Sequence, residues 1–145
     1  MMFKTIHVAA VAVMVIQVAC VSKADFKDRS LYQRLGGRGA IVAMTDDFAA
    51  IVATDPRIGQ HFASADMNRM KKMLASQVCA LSGGPCVYTG KDMKTAHAGR
   101  DIGEDGFNAF MENLAKTLEK FKIPGKEKNE LLALLAAMKK DIVTK

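Results

Sequence analysis

Four stretches of the chain repeat apolar residues every three to four positions, and no stretch alternates with period two for long enough to make a strand. The first carries Ile41, Met44, Phe48, Ile51 and Val52, and the second Met67, Met70, Met73, Leu74, Val78 and Leu81. Phe107, Phe110, Met111, Leu114 and Leu118 form the third; Leu131, Leu134, Leu135, Met138 and Ile142 form the fourth. That spacing gathers the apolar residues on one side of an α-helix, a side that needs a shared core. The chain is therefore read as all-α, with main helices over roughly 39–53, 67–82, 104–121 and 126–143. Helix punctuation supports the boundaries: Asp55-Pro56, Gly83-Gly84-Pro85 and Ile123-Pro124-Gly125 fall between the periodic stretches, and Asp66 precedes the second. A short helix over 31–35 is expected as well, capped by Ser30 and stopped by Gly36-Gly37. At 145 residues, half of them apolar and with no internal repeat, the chain is one domain able to bury a core.

Residues 1–24 read as an export signal. Lys4 stands near the start without an acidic neighbour, Ile6 to Ala19 is apolar except for His7 and Gln17, and Ser22-Lys23-Ala24 offers small residues just before Asp25. The apolar run is too short to make a permanent membrane span the first choice. The expected mature protein is 25–145, periplasmic or secreted. An alternative is lipidation of Cys20, which follows Val18-Ala19; Gln17 fits that pattern poorly, and only this route would bring a membrane contact. The formal charge of +6 falls to +4 once Lys4 and Lys23 are removed with the signal. The late lysines alternate with Glu119, Glu127, Glu130 and Asp141 and have no interleaved aromatics, which describes a solvated helical surface and no nucleic-acid partner.

Cleavage would leave two cysteines, Cys79 and Cys86, flanking the Gly-Gly-Pro turn. An exported chain could join them as a disulfide if their Cα atoms come within about 7 Å. Two unpaired thiols are the other reading. No Cys-x-x-Cys-His occurs, so neither is a covalent haem attachment point.

The stretch from Cys86 to Arg100 contains His97 in an unusual setting. A turn-rich approach leads to a single helical turn from Asp92, a plausible N-cap, with His97 at its end and Gly99 as stop. Met93, four residues earlier, shares its face. An imidazole near a helix end, its second nitrogen held by a backbone carbonyl, suits an axial metal ligand. The plainer reading is a structural histidine.

Further landmarks lie along the chain in order. Leu31-Tyr32-x-x-Leu35-Gly36-Gly37 comes first, then Asp47-Phe48, then Asp55-Pro56-Arg57-x-x-x-x-Phe62. Gly83-Gly84-Pro85-x-x-Tyr88-Thr89-Gly90-x-x-Met93-x-x-x-His97-x-Gly99-Arg100 closes the series. At these separations they resemble the group I truncated haemoglobins, short globins with a two-on-two helical sandwich, from about Ser30 to Val143. The resemblance implies that His97 is the proximal ligand of a haem iron. It further implies that Phe48, Phe62, Met70, Leu74, Met93, Ile102 and Phe110 line the haem pocket and that Arg100 pairs with a propionate. Lacking an attachment motif, the haem would be haem b, held non-covalently. His61 is expected at the surface or on the propionate side.

Departures from the family pattern concern the distal side. The Tyr that often follows the Phe of the distal helix is here Ala49, and polar positions on the next helix are Met70 and Leu74; Gln77 lies one turn further on. An apolar distal pocket is expected, with reversible binding of O₂, NO or CO and faster O₂ release than in Tyr-bearing relatives. One alternative puts a distal methionine, Met70 or Met73, in the sixth position, giving a low-spin redox protein. Another, of a different class, is a cofactor-free helical interaction module. No dedicated catalytic constellation is present: a peroxidase wants a distal acid–base group, and NO oxidation remains compatible as a side activity. An electron-donating reductase is the expected protein partner.

Overall fold

The computed structural model describes residues 29–145. The expected signal segment, with His7 and Cys20, lies outside the described residues. Among the described residues every regular element is helical: α1 (Leu31–Arg34), α2 (Gly37–Thr54), α3 (Met67–Leu81), α4 (Met93–His97), α5 (Glu104–Lys120), α6 (Gly125–Ala136) and α7 (Lys139–Ile142), with one 3-10 turn at Gly59–His61.

The helix starts follow from the sequence punctuation. Ser30 and Gln33 form a reciprocal capping box at α1, and the Asp66 and Asp92 carboxylates accept from the N–H groups of Arg69 and Thr95 at 2.9 Å. Gly36 adopts φ +96°, which lets the chain double back directly from α1 into α2.

α2 is the centre of the molecule. It packs on α3 along its length and crosses α5, which in turn packs on α6, so two helix pairs lie face to face. Phe48 and Val52 of α2, Leu118 of α5 and Leu131 of α6 meet at this crossing, each 1 % exposed or less. Burial of side chains of this size contributes about 1.5–3 kcal/mol apiece.

One expected helix is two. The stretch read as continuous over 126–143 breaks after Ala136, where Met138 N–H donates to Leu135 O and Asp141 N–H to Met138 O, both across three residues. These tighter turns redirect the chain. No Gly or Pro marks the break; its basis is tertiary, since the bend lets α7 pack on α4 while Met138 and Ile142 both face the central cavity.

Cys79 and Cys86 are joined as a disulfide with Cα atoms 5.8 Å apart, linking the last turn of α3 to the approach to α4. Gly84 makes this loop possible. Its N–H donates to Cys79 O at 2.8 Å, and a Cβ there would lie 2.5 Å from the Tyr32 ring, 2.7 Å from Cys79 Sγ and 2.8 Å from Cys79 O. Gly84→Ala should therefore cost about 1–3 kcal/mol through overpacking, read as a lower Tm of the oxidised protein.

Candidate functional site

A cavity of about 510 Å³ opens between α3 and α4, within the range of roughly 300–1,000 Å³ typical of ligand clefts. Met70, Met73, Leu74 and Gln77 of α3 form one wall; Met93, Ala96 and His97 of α4 form the wall opposite. Ile102, Phe107, Phe110 and Met111 close the back, with Leu135, Met138 and Ile142 beside them, and Ile58, His61 and Phe62 form the corner. Arg69, Lys91 and Arg100 supply cations to the lining. The apolar face of α3 is only half-buried around Met70, Met73 and Leu74 because these side chains border the cavity.

His97 is the last residue of α4. Its Nδ1 lies 2.8 Å from Met93 O. A carbonyl can only accept, so in this contact Nδ1 carries the proton and Nε2 is the free ring nitrogen. After His97 the chain reverses through Gly99 (φ +72°) and Asp101 (φ +51°). Between them Arg100 donates from Nε to Ala96 O at 3.3 Å and from Nη1 to His61 O at 3.2 Å, tying the end of α4 to the corner. Tyr88 lies along the approach, its hydroxyl donating to Lys91 O at 2.8 Å; burial, and then the nearby Asp92 charge, push its phenol pKa up. A Cβ on Gly90 would fall 2.2 Å from that hydroxyl, so the glycine is what admits the ring.

Of the residues anticipated from sequence, Phe62, Met70, Leu74, Met93, His97, Arg100, Ile102 and Phe110 line this one cavity. Phe48 is fully buried behind it and packs edge-on against Phe110, with ring centroids 4.8 Å apart. Met111, Met138, Ile142, Arg69, Lys91 and Tyr88 line the cavity too and were not anticipated. Met111 shares a helix face with Phe107 and Phe110, and Arg69 adjoins Met70 on α3, signals that could have found them; the others depend on loop paths and on the bend before α7.

Gln77 lines the cavity and turns its amide to two sulfurs. Its Nε2 is 3.3 Å from Met93 Sδ and 3.6 Å from Met138 Sδ. Met70, Met73 and Leu74 on the same wall carry no side-chain N–H or O–H, and Ala49 of α2 is buried and apolar.

Among the described residues no three His, Cys, Asp or Glu side chains gather to hold a metal ion. A single imidazole serves a metal well where a macrocycle supplies the other donors. An apolar cleft with His97 in its wall, its Nδ1 held by a carbonyl and its Nε2 left free, and with cations in its lining, fits an iron porphyrin with carboxylate edges. Comparison with known proteins points the same way: residues 30–144 match the family model described as "Bacterial-like globin".

The chain belongs to the bacterial-like globin family.

Within this globin family it is 33 % identical over 119 residues to the group 1 truncated haemoglobin of Tetrahymena pyriformis, covering 82 % of the chain and 98 % of that protein. It is 32 % identical to the group 1 truncated haemoglobin of Mycolicibacterium paratuberculosis, covering 79 % of the chain and 85 % of the relative. The crystal structure of the Tetrahymena pyriformis protein in its Fe(III) form superposes with a TM-score of 0.78 over 81 % of this chain and all of that one. The 2/2 haemoglobin of Synechococcus, 24 % identical, shares the fold with a TM-score of 0.75. The globin is thus a two-on-two helical sandwich in a single domain. A haem cofactor, haem-based ligand binding and diatomic gases as the ligand class follow from the family, which leaves the cofactor-free module without support.

Proposed function

We propose that this globin is a haem b protein that reversibly binds a diatomic ligand, with His97 as the proximal ligand and a largely apolar distal wall. The observation that carries it is the His97 Nδ1 contact with Met93 O at the cavity wall. A histidine that donates one ring N–H to a carbonyl has its tautomer and ring orientation set and is a better ligand through the other nitrogen. Bound haem supplies an iron with one position for the imidazole and one for the gas. The remaining tasks fall to the chain: Phe62, Phe110, Met70 and Leu74 exclude water, while the Arg100 guanidinium is available to a propionate. With no attachment motif the haem is held by these contacts alone.

The distal wall determines how long O₂ stays. A polarised ligand gains roughly 1–2 kcal/mol from a well-placed donor, equivalent to about five- to thirtyfold in off-rate. Stopped-flow O₂ dissociation from the ferrous protein should be faster by about that factor than in Tyr-bearing relatives. A rate as slow as theirs would refute the apolar wall.

Met70 and Met73 on α3 support a second reading, in which a thioether takes the sixth position and the iron serves electron transfer. A low-spin spectrum of the ligand-free ferrous protein, lost in Met70→Leu or Met73→Leu, would favour it over gas binding. Export belongs to the same proposal and rests on residues 1–24 of the sequence; N-terminal sequencing of the protein from an exported fraction should begin at Asp25, or at a modified Cys20. Reversible O₂ binding needs ferrous iron, so a reductase completes the proposed set of partners.

A further inference from the structure

The helix that carries His97 is weakly anchored. α4 has five residues, none of them buried, and packs mainly against α7, four residues long and likewise without a buried residue. Helices this short are not stable by themselves, so their position depends on what ties them to the long helices. Gln77 provides such a tie from α3. Its Nε2 reaches Met93 Sδ at 3.3 Å and Met138 Sδ at 3.6 Å. Met93 is the first residue of α4 and the one whose carbonyl meets His97 Nδ1; Met138 directly precedes α7.

We propose that Gln77 is a positioning residue for the His97 imidazole. By holding the Met93 side chain it fixes the carbonyl that orients the ring, and through Met138 it keeps α7 against α4. The proposal rests on the reading of His97 as the haem ligand. One carboxamide nitrogen carries two hydrogens, one for each sulfur. Thioethers are weak acceptors, but they are soft and adaptable and are what this apolar wall provides. A carboxamide among apolar side chains costs desolvation unless its hydrogens find partners; a leucine there would avoid that cost. Partners behind a metal-bound histidine commonly change ligand affinity by about ten- to a hundredfold, so weak contacts at this position have a disproportionate effect.

The test uses the full chain loaded with haem and compares Gln77→Leu, Met93→Leu and the double variant, each of which keeps apolar volume. Two quantities are read: the iron–imidazole stretching band of the ligand-free ferrous protein, and the rate of hemin loss to an excess of a high-affinity scavenger. Each single variant should shift or broaden the band and speed hemin loss about three- to tenfold. The double variant should do no more than the larger single one, because both remove the same contact. An unchanged band in Gln77→Leu, with or without a lower Tm, would overturn the proposal, and so would effects that multiply in the double variant. Should Gln77→Leu fail to fold, Met93→Leu carries the test by itself. Failure of the underlying reading looks different: wild-type protein that takes up no hemin, or that retains it after His97→Ala, removes His97 from the iron whatever Gln77 does.

Discussion

His97→Ala is expected to lose haem retention by more than about a hundredfold, since it removes the proposed ligand itself where loss of a supporting partner already costs about ten- to a hundredfold. After reconstitution with hemin the variant should show a weak, shifted visible spectrum and release its pigment quickly to a scavenger. The fold should survive, because His97 is half-buried on a five-residue helix outside the crossing of α2, α5 and α6. His61→Ala is the matched control. His61 also lines the cavity, but what Arg100 uses is its backbone carbonyl, which the substitution keeps. Equal hemin loss from both variants would show that the two histidines contribute alike and would defeat the assignment of His97.

Arg34→Ala is expected to be the most destabilising surface-layer substitution. The guanidinium binds Glu127 Oε1 and Glu130 Oε2, each at 2.6 Å, and so ties α1 to α6. The side chains of Arg34 and Glu127 are 8 % and 5 % exposed, whereas that of Glu130 is 42 % exposed. Removing the arginine leaves Glu127 buried without its partner. Breaking such a pair costs about 3–5 kcal/mol; proximity to solvent at Glu130 puts the expectation at the low end, about 3 kcal/mol, or on the order of 10 °C in Tm for a domain of this size. The hydrogen bonds to Glu130 and Glu127 hold the arginine's own pKa above its ordinary value.

Acid should erase the difference between wild type and Arg34→Ala. Burial is the largest single influence and pushes the Glu127 carboxyl up, but the Arg34 hydrogen bond, a backbone hydrogen bond and the charges of Arg34 and Lys126 together outweigh it, and the group titrates below the usual carboxylate range. A folded pKa below the unfolded one contributes stability that is complete above the unfolded value and is lost as pH falls through the folded value. In the variant Glu127 lacks that depression, so its stability falls less in acid. Tm measured from neutral pH to about pH 3 should therefore show two curves that converge. Parallel curves would mean that the pair contributes no charge-dependent stability.

Much of the architecture was readable because helix signals are local. Ser30, Asp66 and Asp92 satisfy the N–H groups three residues ahead, and these are bonds any chain with those residues can make before it has a fold. The apolar period of three to four placed the first three long helices, and the start of the fourth, to within a residue or two, and the run of landmarks from Leu31 to Arg100 singled out the family. The break after Ala136 left no such mark, because it depends on α7 finding α4, a contact between residues some forty positions apart.

The same division holds for the site. Local spacing made Asp92, Met93 and His97 a unit: N-cap, first residue and last residue of one helical turn. Whether an apolar side chain fills a core or borders a hollow is not a local property. Met70 and Phe48 both sit on apolar helix faces, yet one lines the cavity and the other is sealed behind Phe110. The cysteine pair could be read either way until the Gly84 turn brought the two Cα atoms to 5.8 Å. Which groups the Gln77 amide meets was open until Met93 and Met138 appeared beside it. The sequence by itself determined the long helices up to the bend, their caps and the place of His97 at the end of a short one, since each depends on neighbours within about four positions. Only the tertiary structure decided which side chains face one another across the cavity, because that depends on how separate helices pack, and packing distances are not written along the chain.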